Sequence, residues 1–201
     1  MCFLCKTPFM RSKVERLSRK GQYLGLISMG YVIWFTGISG SGKTTLARRL
    51  VEELKKKHGR VELIDGDVVR EFFEHDLGYT RQERIANVKR IAFAAMLLAK
   101  NGIHVIVANI APYVEVRDFI RKHLEEYIQI YLNVPLKIAM ERDVQGHYTR
   151  YRQESEKNIV GVDDPYEAPR NPDLVIDTSN QTEEESVHMI LEHLKTHHNI
   201  I

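Results

Sequence analysis

Cysteine is scarce in this chain, and the two it has, Cys2 and Cys5, fall within the first five residues. A disulfide-framed core is thereby excluded. A C-x-x-C pair holds metal or cycles redox state only with a second ligand pair or a surrounding βαβ unit, and neither accompanies this one, so it reads as incidental. Apolar runs long enough to cross a bilayer are missing, as is an apolar stretch with a small-residue cleavage site after the basic start. The expected location is the cytoplasm, without a membrane partner. A large charge excess of one sign is also lacking, with 29 Lys and Arg against 27 Asp and Glu. Residues 1–30 hold six of those basic side chains against Glu15 alone, leaving 23 basic and 26 acidic beyond them. A globally basic surface and a nucleic-acid partner are therefore not expected. Residues 1–29 read as a basic extension, with Met10 and Met29 as alternative starts, ahead of one domain over 30–201.

What is present is a run of small residues in a particular setting. Gly37-Ile38-Ser39-Gly40-Ser41-Gly42-Lys43-Thr44-Thr45 fits G-x-x-x-x-G-K-[ST], the phosphate-binding loop. Tyr31 to Phe35 before it is apolar or aromatic and reads as a buried strand. After it, Leu46, Leu50, Val51 and Leu54 share one helical face. In the order strand, loop, helix, backbone N–H groups curl toward phosphate oxygens and the helix N-terminus adds partial positive charge. Lys43 adds a full charge, and the Thr44 hydroxyl suits Mg²⁺. ATP with Mg²⁺ is the expected pair.

Further strands are expected at 60–64, 103–108, 128–132 and 174–176. Helices are expected at 68–74, from Thr80 to about Lys100 with a Thr80/Glu83 capping box, after the loop 109–113 to about Tyr127, at 135–141, and from near Thr182. This alternation predicts an α/β fold: a doubly wound parallel five-stranded sheet flanked by helices, with its site at the carboxyl ends of the strands. Residues 142–171 are charged, lack apolar periodicity, and read as a lid.

Asp65-Gly66-Asp67 stands at the end of the second strand, where two carboxylates would face the terminal phosphate. One can orient or deprotonate an attacking hydroxyl, and the other can order substrate or metal-bound water. No GTPase-type N-K-x-D run is present, which favours ATP and a small-molecule acceptor.

From about Tyr31 to Thr178 the chain resembles the adenylylsulfate kinase family. The resemblance is carried by Val32-Ile33-Trp34-Phe35-Thr36-Gly37 leading into the loop, Asp65-Gly66-Asp67 with Arg70, and Asp76-Leu77-Gly78-Tyr79. It continues through Arg84, Asn87 and Arg90, Pro112-Tyr113 with Arg117-Asp118, and Arg142-Asp143 with Gly146 and Tyr148. It ends with Asp164-Pro165-Tyr166-Glu167-Ala168-Pro169 and Asn171-Pro172. It implies a P-loop kinase that phosphorylates the 3′-hydroxyl of adenosine 5′-phosphosulfate, acting as a homodimer on small nucleotides. By the same resemblance Lys43 and Asp65 would be catalytic, residues 37–45 would hold the ATP phosphates, and Arg142 would meet the adenine. Asp67, Arg70, Arg84, Asn87 and Arg90 would bind the acceptor, joined by Ile110, Ala111, Pro112, Lys157 and Ile159. Arg150 would reach phosphates on lid closure.

The chain departs from the family pattern at four places. Ala111 stands where serine is frequent, so no phosphoenzyme forms there and transfer is direct. Val68 replaces an asparagine, and Thr149-Arg150-Tyr151-Arg152 replaces a lysine pair. Ile159 replaces a phenylalanine that stacks on the acceptor adenine, a loss on the order of 1 kcal/mol. The last change keeps open a 3′-kinase of a related nucleotide such as cytidine diphosphoramidate. A non-catalytic nucleotide-binding module is the other alternative, and retention of Lys43, Thr44, Asp65 and the arginines weighs against it.

Overall fold

Every residue of strand β1 (Val32–Thr36) is buried, as expected of a strand with helices packed on both of its faces. The computed structural model describes residues 28–143, 146–153, 157–198 and 200; both cysteines and nearly all of the basic extension lie outside them. In it β1 is central to a five-stranded sheet in the order β2-β3-β1-β4-β5. The other strands are β2 (Val61–Asp65), β3 (His104–Ala108), β4 (Tyr127–Asn133) and β5 (Leu174–Asp177), and all pairings are parallel. The helices are α1 (Lys43–Lys55), α2 (Gly66–Phe72), α3 (Arg81–Lys100), α4 (Val114–His123), α5 (Leu136–Arg142), α6 (His147–Arg152) and α7 (Glu183–His198). The doubly wound α/β architecture is the one expected.

Alternation along β1 divides the core. Ile33 and Phe35 pack with Leu46, Leu50 and Leu54 of α1 and with Val187, Ile190 and Leu194 of α7. Val32 and Trp34 face the other way, onto Val88, Ile91 and Ala95 of α3 and Val116 and Ile120 of α4. A third cluster joins Ile38 of the loop to Ala139 of α5, Tyr148 of α6, Ile159 and Val160. Burying each of these larger side chains is worth about 2 kcal/mol, so the third cluster fastens the 142–171 segment onto the phosphate loop.

Two helix boundaries are corrected, and a helix not read from the sequence is added. The helix expected to reach Tyr127 ends at His123, because Tyr127 pairs with Val32 in the sheet and the Glu126 carbonyl accepts from the Val32 N–H at 2.7 Å. Helix α2 starts at Gly66, two residues before the expected Val68, since the Asp65 side chain caps it by accepting from the Asp67 N–H at 2.9 Å. The segment read as a lid contains a helix, α6, whose first turn is held by the Asp143 carboxylate through Tyr148 N–H and Thr149 N–H.

Helix α3 starts where the capping box places it. Thr80 accepts from the Glu83 N–H, and Glu83 Oε2 accepts from the Thr80 N–H at 3.0 Å. Removing such a cap costs about 1 kcal/mol. Thr80→Ala is therefore expected to lower the urea-unfolding free energy by about 1 kcal/mol; an unshifted midpoint would show that packing alone sets the start of α3.

Candidate active site

The carboxyl ends of the strands, with α3 and the 142–171 segment, surround one cavity of about 680 Å³. A parallel sheet brings these ends to one edge, which is why the loop after β1, the acidic turn after β2 and the loop after β3 meet there.

On the donor side, the loop after β1 turns tightly into α1. Gly40 has φ +75°, and a Cβ there would lie 2.6 Å from the Ala139 carbonyl oxygen, so both conformation and space demand glycine. Lys43 lies in the first turn of α1 and folds back so that Nζ donates to the Ile38 carbonyl at 2.7 Å. Burial pushes the Lys43 amine down to about 8, against an opposing pull from Asp67 and Asp65. The Thr44 hydroxyl donates to Asp65 Oδ2 at 2.8 Å. That bond ties the phosphate loop to the acidic turn and leaves the Thr44 lone pairs for a cation. Gly66 separates the two aspartates because a Cβ there would lie 2.2 Å from Asn109 Nδ2.

The wall across the cavity is built on α3 and the turns around it. Arg84 and Asn87 are only 8% and 2% exposed, on the inward face of α3 beside Val88 and Ile91, and both line the cavity. Arg84 Nε donates to the Tyr79 carbonyl at 3.1 Å, and Nη2 donates to the Asn158 carbonyl. Arg70 Nη1 donates to the carbonyls of Leu77 at 2.8 Å and Gly78 at 3.1 Å. Its guanidinium stands 4.6 Å from the centre of the Tyr79 ring. Ala111 has φ +41° and no exposure. Its N–H donates to Asn109 Oδ1 at 3.0 Å and its carbonyl accepts from Arg117 Nη1 at 2.6 Å. These bonds hold a conformation that costs an alanine roughly 1 kcal/mol.

At the far end of the donor side, Arg142 Nη1 donates to the Gly40 carbonyl at 3.3 Å and to Thr178 Oγ1 at 3.2 Å. The Tyr148 hydroxyl reaches the Ser39 carbonyl at 3.0 Å and fastens α6 to the loop.

Most of the residues singled out from the sequence come together. Ser39, Gly40, Gly42, Lys43, Thr44, Thr45 and Arg142 line the donor side. Asp65, Asp67, Arg70, Arg84, Asn87, Ile110, Ala111, Pro112, Lys157 and Ile159 line the rest. Gly37, Ile38 and Ser41 shape the loop from behind without lining the cavity; Ser41 is wholly buried.

Arg90 is not brought to the cavity with them. It does not line the cavity, and its guanidinium forms a bidentate pair with Asp76, both contacts 2.8 Å, beside the Phe73 ring. Arg150 is also outside the lining and sits 3.0 Å from His147 Nδ1. Sequence reasoning missed Tyr79, Thr178 and Gln181 as lining residues. Thr178 directly follows β5, so the rule that sites gather at strand carboxyl ends could have found it.

A phosphate loop that faces a carboxylate and buried cationic groups across one cavity, on a doubly wound sheet, defines a P-loop phosphotransferase. Residues 29–177 match the family model described as adenylylsulphate kinase. The chain is 42% identical over 166 residues to the adenylyl-sulfate kinase of Halothermothrix orenii, covering 83% of this chain and 90% of that one. It is 44% identical over 168 residues to the adenylyl-sulfate kinase of Deinococcus deserti, covering 84% and 93%. Among solved structures, the Mycobacterium tuberculosis APS kinase in complex with AMPPNP and APS superposes with a TM-score of 0.77 at 32% identity, covering 84% of this chain and 99% of that one. The chain belongs to the adenylylsulphate kinase family.

The depressed Lys43 amine has a measurable consequence. Its folded value of about 8 lies below its ordinary 10.5, so between those values the unfolded chain binds more protons and this group makes stability rise with pH. Phosphate oxygens beside the amine reverse the depression. At pH 8, binding of a non-hydrolysable ATP analogue is therefore expected to take up about half a proton. Calorimetry in two buffers of different ionisation enthalpy measures this uptake. Lys43→Met should abolish it, and an uptake that survives would assign the proton to another group.

Proposed function

We propose that this chain transfers the γ-phosphoryl group of ATP to the 3′-hydroxyl of adenosine 5′-phosphosulfate. The observation that carries the proposal is the joining of the loop to the acidic turn through Thr44 and Asp65, with Arg70, Arg84 and Asn87 across the same cavity. Asp65 accepts the 3′-hydroxyl proton as the hydroxyl oxygen bonds to the γ-phosphorus and the bond to the β-phosphate oxygen breaks, releasing ADP. Lys43 and the first N–H groups of α1 stabilise the charge that develops on the phosphoryl oxygens. Arg70 and Arg84 suit the anionic phosphosulfate end. Arg142 and Thr178 border the place for the ATP adenine. With no hydroxyl on Ala111, transfer is direct.

The Thr44 hydroxyl fits Mg²⁺ as a hard oxygen ligand, with phosphate oxygens completing its shell. Bound there, Mg²⁺ would supply neutralising charge to the phosphates.

On the acceptor base, Ile159 is 6% exposed and packs with Ile38 and Tyr148, so it presents little surface to a ring. Tyr79, 40% exposed and lining the cavity, carries the guanidinium groups of Arg70 and Arg84 over its ring, 4.6 Å and 5.1 Å from its centre. Phe93 and Leu97 on α3, 59% and 46% exposed, give an apolar surface for a homodimer in the cytoplasm. Sedimentation at micromolar concentration should show two copies, and a monomer there would remove the dimer.

Supplied with Mg-ATP and adenosine 5′-phosphosulfate, the protein is expected to release ADP together with the 3′-phosphorylated product. ADP release without an acceptor, or turnover only with cytidine diphosphoramidate, would sink the proposal. Asp65→Asn keeps an oxygen to cap α2 but loses the base. Its turnover should fall by about 10²–10⁴ while ATP-analogue affinity stays within a few-fold; unaltered turnover would remove Asp65 from this role.

A further inference from the structure

Arg84 is a guanidinium with almost no exposure, and a buried cation needs a counter-charge and partners for its N–H groups. The counter-charge is Asp164, whose Oδ2 lies 3.1 Å from Arg84 Nε. The same oxygen accepts the Tyr113 hydroxyl at 2.7 Å, and Tyr113 is fully buried. Burial and Asp164 push the Tyr113 hydroxyl up to about 12, so it remains a donor. Asp164 does not line the cavity, whereas Arg84 does. With Nε and Nη2 engaged, Nη1 is the Arg84 nitrogen without a hydrogen-bond partner among the described residues.

Asp164 is also the end of a compact loop. The Ile159 carbonyl accepts from the N–H groups of Val162, Asp163 and Asp164, and the Asp164 carbonyl accepts from the Gly161 N–H at 2.7 Å. Asn158, with φ +61°, donates its N–H to Asp163 Oδ2 at 2.8 Å. Arg84 therefore grips this loop at both ends, through the Asn158 carbonyl and the Asp164 carboxylate. Lys157 and Ile159, which line the cavity, are carried by it.

We infer that Asp164 is a positioning residue for the acceptor: held by Tyr113, it fixes Arg84, whose Nη1 is left for a ligand, and ties the loop from Asn158 to Asp164 to the same cation. The inference rests on the proposed role of Arg84 in binding an anionic acceptor. It explains why a residue with no access to the cavity carries a carboxylate directed at one that has it. Acceptor engagement and the placement of Lys157 then depend on one guanidinium.

The test uses the full chain, with steady-state kinetics varying each substrate in turn. Asp164→Asn keeps the side-chain shape and removes the charge. It is expected to raise the acceptor KM about tenfold with the ATP KM within twofold. Tyr113→Phe, which removes only the tether, should move the acceptor KM the same way by about threefold, and it carries the test if the Asn variant does not fold. A fall in acceptor KM would show that the carboxylate competes with the substrate anion, and overturns the inference. Equal rises in both KM values, which a general loss of structure would produce, overturn it as well, and so does no change. Wild-type turnover accompanied by any of these defeats the inference alone; absence of wild-type turnover defeats the proposed function and the inference together.

Discussion

Parallel pairing is the constraint on which everything else in this structure depends. With all five strands running the same way, every strand ends at the same edge, so the phosphate loop, the acidic turn and the loop at Asn109–Tyr113 must converge. The strand order adds the crevice. β1 has β3 on one side and β4 on the other: the chain leaves β1 toward β2 and β3 on one side, then crosses from β3 over β1 to β4 on the other, opening a gap between the loops at that point. The phosphate loop is at that gap, and the N-terminus of α1 points into it without further adjustment.

Convergence alone would leave a loose set of loops. What stiffens them is a group of buried polar contacts whose partners are nearly all backbone or carboxylate. Arg117 donates to the carbonyls of Ala111 and Glu167, and the Glu167 carboxylate accepts from the Val114 N–H at the start of α4. The Tyr166 hydroxyl meets Thr36 Oγ1 at the end of β1. The Asp164–Pro169 stretch thus works from behind the cavity, holding the loop after β3 against the sheet. Buried cations are costly without partners for their N–H groups, and the partners Arg117 finds here help give one arrangement to a region that lacks regular secondary structure.

How much was legible in the sequence follows from the range of the interactions. Lys43, Thr44 and Asp65 were found because a strand, a glycine loop and a helix are local signals, and Thr80 because a capping box is complete within four residues. The early end of the helix before β4 was not legible, since Glu125 and Glu126 suit a helix and only pairing of Tyr127 with Val32 draws the chain into the sheet. Arg90 lies off the cavity for a related reason. Six residues along a helix is a rotation of about 240° from Arg84, which turns Arg90 off the cavity face, and Asp76 then fixes it there. Tyr79 and Gln181 carried no local pattern that marks them as lining residues.

The sequence by itself therefore determined the donor half of this protein: the phosphate-binding loop at Gly37–Thr45, the strand that feeds it and the carboxylate that answers it. Each is encoded by residues close together in the chain, where backbone conformation and helix periodicity suffice. Only the tertiary structure decided the wall across the cavity, by turning Arg84 inward and Arg90 away, withdrawing Ile159 into an apolar cluster, and placing Asp164 behind Arg84. The reason is physical. The counter-charge of a buried cation is set by what folds against it, and here that partner lies 80 residues further along the chain.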